Sequence, residues 1–195
     1  MSAPRGGGVS APRDGDIHAL HAAIDVDARR LHVLHAARLQ CKRGCAACCV
    51  DELSVSAVEA AEIRRHHAAL LATAAPHAVG ACAFLDDAGA CRIYAERPYV
   101  CRTQGLPLRW LDGEDGDEEA LVELRDICPL NEPGEPIELL PADACWTLGP
   151  IEERLAQLQQ ASGLPPERIS LRSLFAPSVP ANAISPFRIG TSDIV

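Results

Sequence analysis

The stretch Cys41-Lys-Arg-Gly-Cys45-Ala-Ala-Cys48-Cys49 places four of the chain's nine cysteines within nine residues. The remaining cysteines lie further along the chain as Cys82, Cys91, Cys101, Cys128 and Cys145. Thiols at spacings of two and three residues are typical of a metal site made of thiolates. The cysteines therefore predict a domain that is organised around a bound metal.

Length and composition limit the kind of protein that this can be. The 195 residues suffice for one domain with short flanking segments. Aromatic residues make up only 4% of the chain, so a core would consist mainly of small aliphatic side chains. The net charge of −9 argues against a general nucleic-acid binder, which needs a basic face.

The chain carries no recognisable export or membrane signal. Its first residues, Met-Ser-Ala-Pro-Arg-Gly-Gly-Gly, contain no apolar segment of the kind found in secretory signals. No run approaches the roughly 18 apolar residues of a membrane span. We therefore expect a cytoplasmic protein in which thiols stay reduced and bind metal rather than form disulfides. The odd number of cysteines also fits poorly with complete disulfide pairing.

The remaining patterns predict a small, helix- and loop-rich α+β domain over residues 16–175, with its motif core at 41–128. Residues 1–15 are rich in Gly, Pro and Ser and are predicted to be disordered. Residues 176–195 show no periodicity and are predicted to form an irregular tail.

Several segments of this domain have predicted secondary structure. Apolar residues at helical spacing predict a helix over 16–39, and a capping-box pattern at 56–59 predicts a second helix to about residue 75. A proline at the start of a polar stretch predicts a third helix over about 150–161. Residues 106–111 and 120–124 are predicted strands on either side of an acidic hairpin tip at 112–119.

The spacings leave the assignment of cysteines to metals open. Adjacent side chains point in different directions, so Cys48 and Cys49 do not easily bind the same mononuclear ion. They could serve two metals, a polynuclear cluster, or one metal with the second thiol nearby. The eight cysteines other than Cys145 could form two four-thiolate sites, or one site with spare thiols. Cys145 itself is interpreted as a small buried apolar residue.

Two arginines near the downstream cysteines are candidates for supporting the metal. Arg97 and Arg102 flank Cys101 closely. Their charges would offset that of a thiolate-rich centre, and their guanidinium groups can donate hydrogen bonds to sulfur. Pro98 is suited to begin a short helix that presents Cys101.

The ordered combination of these motifs resembles the zinc- or iron-chelating cysteine-cluster family, named for its CxxCxxCC motif and also called YkgJ-type. The resemblance covers about residues 41–128 and rests on the opening four cysteines together with Cys82-x-Phe-Leu, Cys91-x-Ile-Tyr, Arg97-Pro98-x-x-Cys101-Arg102 and Cys128. The first gap here is three residues rather than two, which makes Cys41 the weakest match.

The resemblance implies a zinc or iron centre in a family whose biochemical role is largely unassigned. A related cysteine pattern occurs in flagellin lysine N-methylases, where it is associated with an iron–sulfur cluster. Iron–sulfur is therefore an open alternative for the cofactor, without any implication of methylase activity.

Other iron–sulfur patterns fit less well. Cys41-x3-Cys45-x2-Cys48 matches the radical S-adenosylmethionine motif, but that fold requires strand–helix repeats, and here a helix and a cysteine-rich loop follow. Cys128-Pro129 resembles the end of a ferredoxin motif, but the spacing to the other cysteines is wrong.

Histidines are the other candidate ligands. His18 with His21, and His32 with His35, are pairs three residues apart on the first predicted helix, so each pair could bind a metal on one face. Surface histidines are the more common outcome of such a pattern, and His66-His67 are interpreted as surface residues. His32 and His35 lie nearest the cysteines in sequence.

These observations lead to a metal-binding protein whose zinc, iron or iron–sulfur centre has at least a structural role and whose protein partner is unknown. An iron–sulfur enzyme of redox or group-transfer chemistry, acting on a protein side chain, is one alternative. A metal-stabilised interaction or metal-handling module is another. No nucleotide-binding loop or catalytic triad supports the enzyme, so catalytic residues remain unknown.

Overall fold

The computed structural model describes residues 15–113 and 121–175. The described part contains four α-helices and two small sheets, which confirms the predicted α+β class. The predicted disorder of residues 1–14, most of the acidic hairpin tip (114–119) and the predicted tail (176–195) lie outside the described residues. None of the described helices is long and apolar enough to cross a membrane.

The helices are α1 (Gly15–Leu34), α2 (Ala57–Thr73), α3 (Tyr99–Thr103) and α4 (Pro150–Ser162). The strands are β1 (Ser54–Val55), β2 (Leu108–Asp112), β3 (Val122–Asp126), β4 (Trp146–Thr147) and β5 (Ile169–Ser170). Short 3-10 turns, among them Tyr94–Glu96 and Pro129–Asn131, connect these elements in the described residues.

The local sequence signals correctly predict where two of the helices begin. Ser56 caps α2, and its hydroxyl and the Glu59 carboxylate form the predicted capping box. Pro150 begins α4 as predicted, and the helix ends before Gly163 in the left-handed conformation. The first helix, however, ends at Leu34 and not at residue 39. The chain turns there because the buried Arg38 donates from Nε to the carbonyl oxygen of a distant residue, Asn131, at 3.0 Å.

The strands form two separate sheets. β2 and β3 pair antiparallel from Leu108 opposite Asp126 to Asp112 opposite Val122, which confirms the predicted hairpin strands with slightly shifted bounds. β4 adds to the other edge of β2 in parallel. The two-residue strands β1 and β5 pair antiparallel. The last described residues therefore lie beside the start of α2.

Two apolar clusters form most of the core. One joins α1, α3 and α4 and includes Ile24, Leu31 and Trp146. The other joins α2 to the segment around Phe84 and to the last described residues, and its buried members include Cys82. Cys49 and Cys91 pack against the edge of this second cluster. The fold thus brings cysteines from separate segments to one side of a small aliphatic core.

A buried carboxylate joins three helices next to these cysteines. Glu59, only 4% exposed, accepts a 2.8 Å hydrogen bond from the backbone N–H of Tyr99 at the start of α3. Its second oxygen accepts a 2.9 Å hydrogen bond from the Ser56 hydroxyl. His21 of α1 lies with Nε2 3.8 Å from the carboxylate. Burial acts to raise the pKa of Glu59, but these partners outweigh burial and hold the pKa below its usual value.

Replacement of this carboxylate should weaken the fold. We expect Glu59→Ala to lower the free energy of unfolding by about 2–4 kcal/mol, because it removes a helix cap and leaves the Tyr99 N–H buried without an acceptor. Glu153→Ala, an exposed acid in the first turn of α4, is the matched control and should change it by less than about 0.5 kcal/mol. Denaturant unfolding of both variants measures the difference.

The same interaction has a defined pH dependence. Because the folded-state pKa of Glu59 is lowered, its contribution to stability is present above the usual pKa and is lost as the pH falls below that value. Equal losses of stability in the two variants would contradict the role given to Glu59.

Candidate metal centre

Five cysteine thiols from three chain segments interact with one another. Burial, and after it the charges of Cys82, Cys91 and Cys48, raises the pKa of Cys101. The hydrogen bond with Cys48 and burial, and after them the charges of Cys82 and Cys101, raise the pKa of Cys49. We call these five the main thiol group: Cys48, Cys49, Cys82, Cys91 and Cys101. Four of them are partly buried and Cys82 is buried, so this group lies at the border between core and solvent.

Backbone contacts hold the first two segments together. The N–H of Cys82 donates to the carbonyl oxygen of Cys49 at 2.8 Å. The chain then turns back, so that Leu85 pairs with Cys91 in an antiparallel bridge. The Asp86 side chain fixes this turn by accepting hydrogen bonds from the N–H groups of Ala88 and Ala90.

The third segment presents Cys101 from the short helix α3, as the sequence predicts. Glu59 holds the first residue of α3, and the Tyr99 hydroxyl donates to Glu152 at 2.6 Å. The buried Arg102 donates to Asp25 of α1 at 2.7 Å. The helix that carries Cys101 is therefore fixed on both sides by polar contacts that cross the core.

The thiols of the main group differ in acidity. The hydrogen bond from the neighbouring Cys49 thiol lowers the pKa of Cys48 to about 6. The same interaction raises the pKa of Cys49. Burial, followed by the neighbouring thiols, raises the pKa of Cys101 to about 12. Burial also raises the pKa values of Cys82 and Cys91. Without a cation, this group therefore cannot easily hold several thiolates at once.

Arginines around the main thiol group supply positive charge. Arg92 and Arg97 act to lower the pKa of Cys91, and Arg172 acts to lower that of Cys82. The buried Nε–H groups of Arg92, Arg97 and Arg102 lack a hydrogen-bond partner within the described residues. Buried donors without acceptors are rare in native proteins. Those of Arg92 and Arg97, whose charges act on Cys91, suit a site in which metal-bound sulfur is the acceptor.

The two arginines predicted to support the metal have other contacts as well. Arg97 stacks on Tyr94 at 4.0 Å from the ring centre and lies 3.9 Å from Asp25. Arg102 donates to Asp25 and to the carbonyl oxygen of Ala95. These hydrogen bonds anchor α3 to α1 and to the preceding turn.

Cys41 and Cys128 each contact the buried residue Asn131, Cys41 through the side chain and Cys128 through the backbone. The Asn131 amide nitrogen donates to Cys41 Sγ at 3.3 Å and to the carbonyl oxygen of Gly105 at 2.8 Å. Its amide oxygen accepts the N–H of Gln40, and its own N–H donates to the Cys128 carbonyl. Asn131 is fully buried, and each of these groups has a partner. It therefore holds the Cys41 sulfur and the backbone of Cys128.

The other cysteines are placed differently. Cys45 lies in a turn in which its N–H donates to Lys42. Cys145 is buried beside Leu140 and Ala144, as predicted, and Arg125 approaches its sulfur at 3.8 Å. The largest influences on the pKa of Cys145 are burial and arginines, and no other thiol is among them.

The described cysteine sulfurs are not closed around one point. In the described ranges, no three cysteine sulfurs lie within 4.8 Å of one another. In a tetrahedral thiolate site all four sulfurs lie about 2.3 Å from the metal. Rotation of these side chains would therefore accompany metal binding. The donor set itself, soft thiolates with nearby cations, fits zinc and iron.

Some histidines of α1 are buried, although their spacing favours surface positions. His35 is buried, and its Nε2 lies 2.6 Å from the carbonyl oxygen of Ala144. His21 is buried beside Arg102 and Glu59. His32 is partly buried, and burial and the charge of Arg97 lower its pKa. The surface interpretation was therefore wrong for His21 and His35, because these residues fill the inner face of α1.

Several supporting residues carry no motif that sequence reasoning could use. Asn131 and Arg172 act through partners about 90 residues or more away in the chain. Arg172 donates to Asp51 and to the carbonyl oxygen of Ala81, next to Cys82. The sequence indicates a role for Asn131 only through its position in the tight turn that follows Cys128-Pro129.

The close approach of Gly105 to Cys41 gives a direct test of this placement. A Cβ at Gly105 would lie 2.6 Å from Cys41 Sγ, and the residue has φ +89°. Gly80 has φ +103°, but a Cβ there meets nothing within 4 Å. Both alanine variants should lose about 1–2 kcal/mol of stability from the positive φ, and only Gly105→Ala should displace Cys41.

The readout is the rate at which a thiol reagent modifies the metal-free protein, resolved by residue. We expect the rate at Cys41 to change in Gly105→Ala and to match the unsubstituted protein in Gly80→Ala. An unchanged Cys41 rate in Gly105→Ala would mean that Cys41 is not held against this turn.

One family model matches the cysteine-rich segment of the chain. Residues 40–129 match the model of the CxxCxxCC family, described as a putative zinc- or iron-chelating domain. No curated protein and no solved structure matches the chain. The matched segment contains all eight cysteines other than Cys145. The cysteine-rich segment of the chain is thus similar to the CxxCxxCC family, described as a putative zinc- or iron-chelating domain, which confirms the resemblance predicted from the sequence.

Proposed function

We propose that this protein binds zinc or iron through eight cysteine thiolates and that the metal fixes the cysteine-rich half of the fold. The proposed ligands are Cys41, Cys45, Cys48, Cys49, Cys82, Cys91, Cys101 and Cys128. The observation that carries this proposal is the meeting of separate cysteine segments at one apolar cluster. The Cys82 N–H donates to the Cys49 carbonyl oxygen at 2.8 Å, Leu85 pairs with Cys91, and Cys49, Cys82 and Cys91 lie in or against the same cluster.

The contacts also support a division of the ligands. The five thiols of the main group influence one another's acidity. Cys41 and Cys128 are instead connected through Asn131. We infer that the main thiol group holds one centre, and that Cys41 and Cys128, with Cys45 from the same loop, serve a second position or complete an extended cluster.

The electrostatic surroundings support a cation at the main thiol group. Burial and mutual repulsion oppose the simultaneous ionisation of its thiols. A metal ion removes this penalty, because it binds thiolates and displaces their protons. The buried Nε–H donors of Arg92 and Arg97, which act on Cys91, would then have acceptors at the bound sulfurs.

The metal would have a structural role. Cys82, Cys49 and Cys91 lie in or against one of the two main apolar clusters, so ligation would tie that cluster together. Metal binding in such sites contributes directly to the free energy of folding. We further expect the protein to act in a reducing compartment such as the cytoplasm, since its thiols must stay reduced.

A set of cysteine substitutions tests the ligand assignment. We expect Cys82→Ser, Cys91→Ser and Cys101→Ser each to lower the bound metal per chain by at least one half, because each removes a thiolate from the main group. Cys145→Ala is the matched control, since it replaces a buried cysteine outside both groups, and it should leave the metal content unchanged. Elemental analysis of anaerobically purified protein measures both.

A further variant, Cys128→Ser, distinguishes one metal centre from two. If Cys128→Ser loses one metal ion and keeps another, the two groups bind separately. If it loses all metal together with the main-group variants, one extended centre is present. Full metal content in all main-group variants would contradict the proposal.

A further inference from the structure

A second group of metal-ligating side chains lies where α1 meets α2 and contains no cysteine. It consists of His18 from α1 with Glu62 and His66 from α2. The Nε2 of His18 lies 2.5 Å, and that of His66 2.8 Å, from the same oxygen of Glu62. The two histidine nitrogens lie 3.3 Å apart. In the described part of the chain, this is the only group of three potential ligand atoms within 4.8 Å of one another.

The helices account for this arrangement. Glu62 and His66 are four residues apart and therefore share one face of α2. The first turns of α1 pass this face and supply His18. Glu62 is buried, with 6% of its side chain exposed, whereas 48% of His18 and 30% of His66 are exposed. The group thus has a fixed carboxylate at its base and two histidines that solvent can reach.

The distances suit a transition-metal ion. Three atoms at these separations allow one point about 2.0 Å from all of them, which is the length of a Zn–N or Zn–O bond. Two histidines and one glutamate form a known class of zinc ligand set that leaves a coordination position for water or an added ligand. We propose that His18, Glu62 and His66 form a zinc-binding site that is separate from the cysteines.

Arg65 influences this site. Its Nη2 lies 2.7–3.1 Å from the two histidine nitrogens and from the Glu62 oxygen. The three ligand atoms therefore already face a cation. Burial acts to raise the pKa of Glu62, but the hydrogen bonds from Arg65 and the neighbouring charges outweigh it and hold this pKa below its usual value. Zinc must displace the Arg65 side chain, which is 44% exposed and can move into solvent.

Because zinc must compete with Arg65, the affinity of the site for zinc should depend on this residue. Removal of the guanidinium group removes the cation that zinc must displace. Arg65→Ala should therefore bind zinc several-fold more tightly than the unsubstituted protein, while the number of ions bound stays the same. Non-specific uptake by surface histidines would not respond in this way.

The experiment is a zinc titration by equilibrium dialysis of the full chain with its cysteine-bound metal in place. We expect the unsubstituted protein to take up one more zinc ion per chain than His66→Ala or His18→Ala. His67→Ala is the matched control, because His67 is the next residue of the same helix and contacts a single carboxylate, Glu96, at 2.9 Å. It should keep the additional ion.

Equal zinc uptake by the unsubstituted protein and His66→Ala would overturn the proposal. The same loss in His67→Ala would also overturn it, since any histidine–carboxylate pair would then suffice. Circular dichroism of each variant before the titration confirms that it is folded, and Glu62→Gln, which keeps the shape of the buried side chain, provides a second variant that should lose the ion. Every comparison is between the zinc uptake of proteins that keep all their cysteines. The result therefore does not depend on which metal the cysteines bind.

Discussion

The buried carboxylate of Glu59 is the interaction on which the rest of the cysteine region depends. It caps α2 through Ser56 and accepts the first N–H of α3, the helix that presents Cys101. The same carboxylate lies beside His21 of α1. A single side chain thereby sets the relation of three helices, and the position of Cys101 relative to the segments of Cys49 and Cys82 follows from it. A charged group at such depth is stable only with partners on every side.

The cysteines compensate for a core that lacks large side chains. With aromatic residues at 4% of the chain, the apolar clusters consist mostly of aliphatic residues, alanine and a few rings such as Phe84 and Trp146. Cys82 is an integral part of one cluster, and Cys49 and Cys91 border it. A metal bound there would act as a cross-link between segments that few apolar contacts hold together. This dependence explains why polar supports such as Asn131 and Arg172 gather around the cysteines.

Local signals in the sequence predicted much of the fold. The capping box at Ser56, the proline at the start of α4 and the alternating strands of the hairpin each act within a few residues, so their outcome can be derived without knowledge of the rest of the chain. The resemblance to the CxxCxxCC family, which the family match confirms, likewise rests on short motifs in a fixed order. The grouping of the cysteines could not be derived in this way, because it depends on contacts such as that between Cys49 and Cys82.

The failures have the same physical origin. The end of α1 depends on Arg38 and its distant acceptor Asn131, so helical periodicity alone extended the helix too far. Likewise, the grouping of His18 with His66 depends on how α1 and α2 pack. X-ray absorption at the metal edge of the natively purified protein tests the central claim most directly. The account predicts a first shell dominated by sulfur at about 2.3 Å; a shell of only nitrogen and oxygen, or a protein without metal, would contradict it.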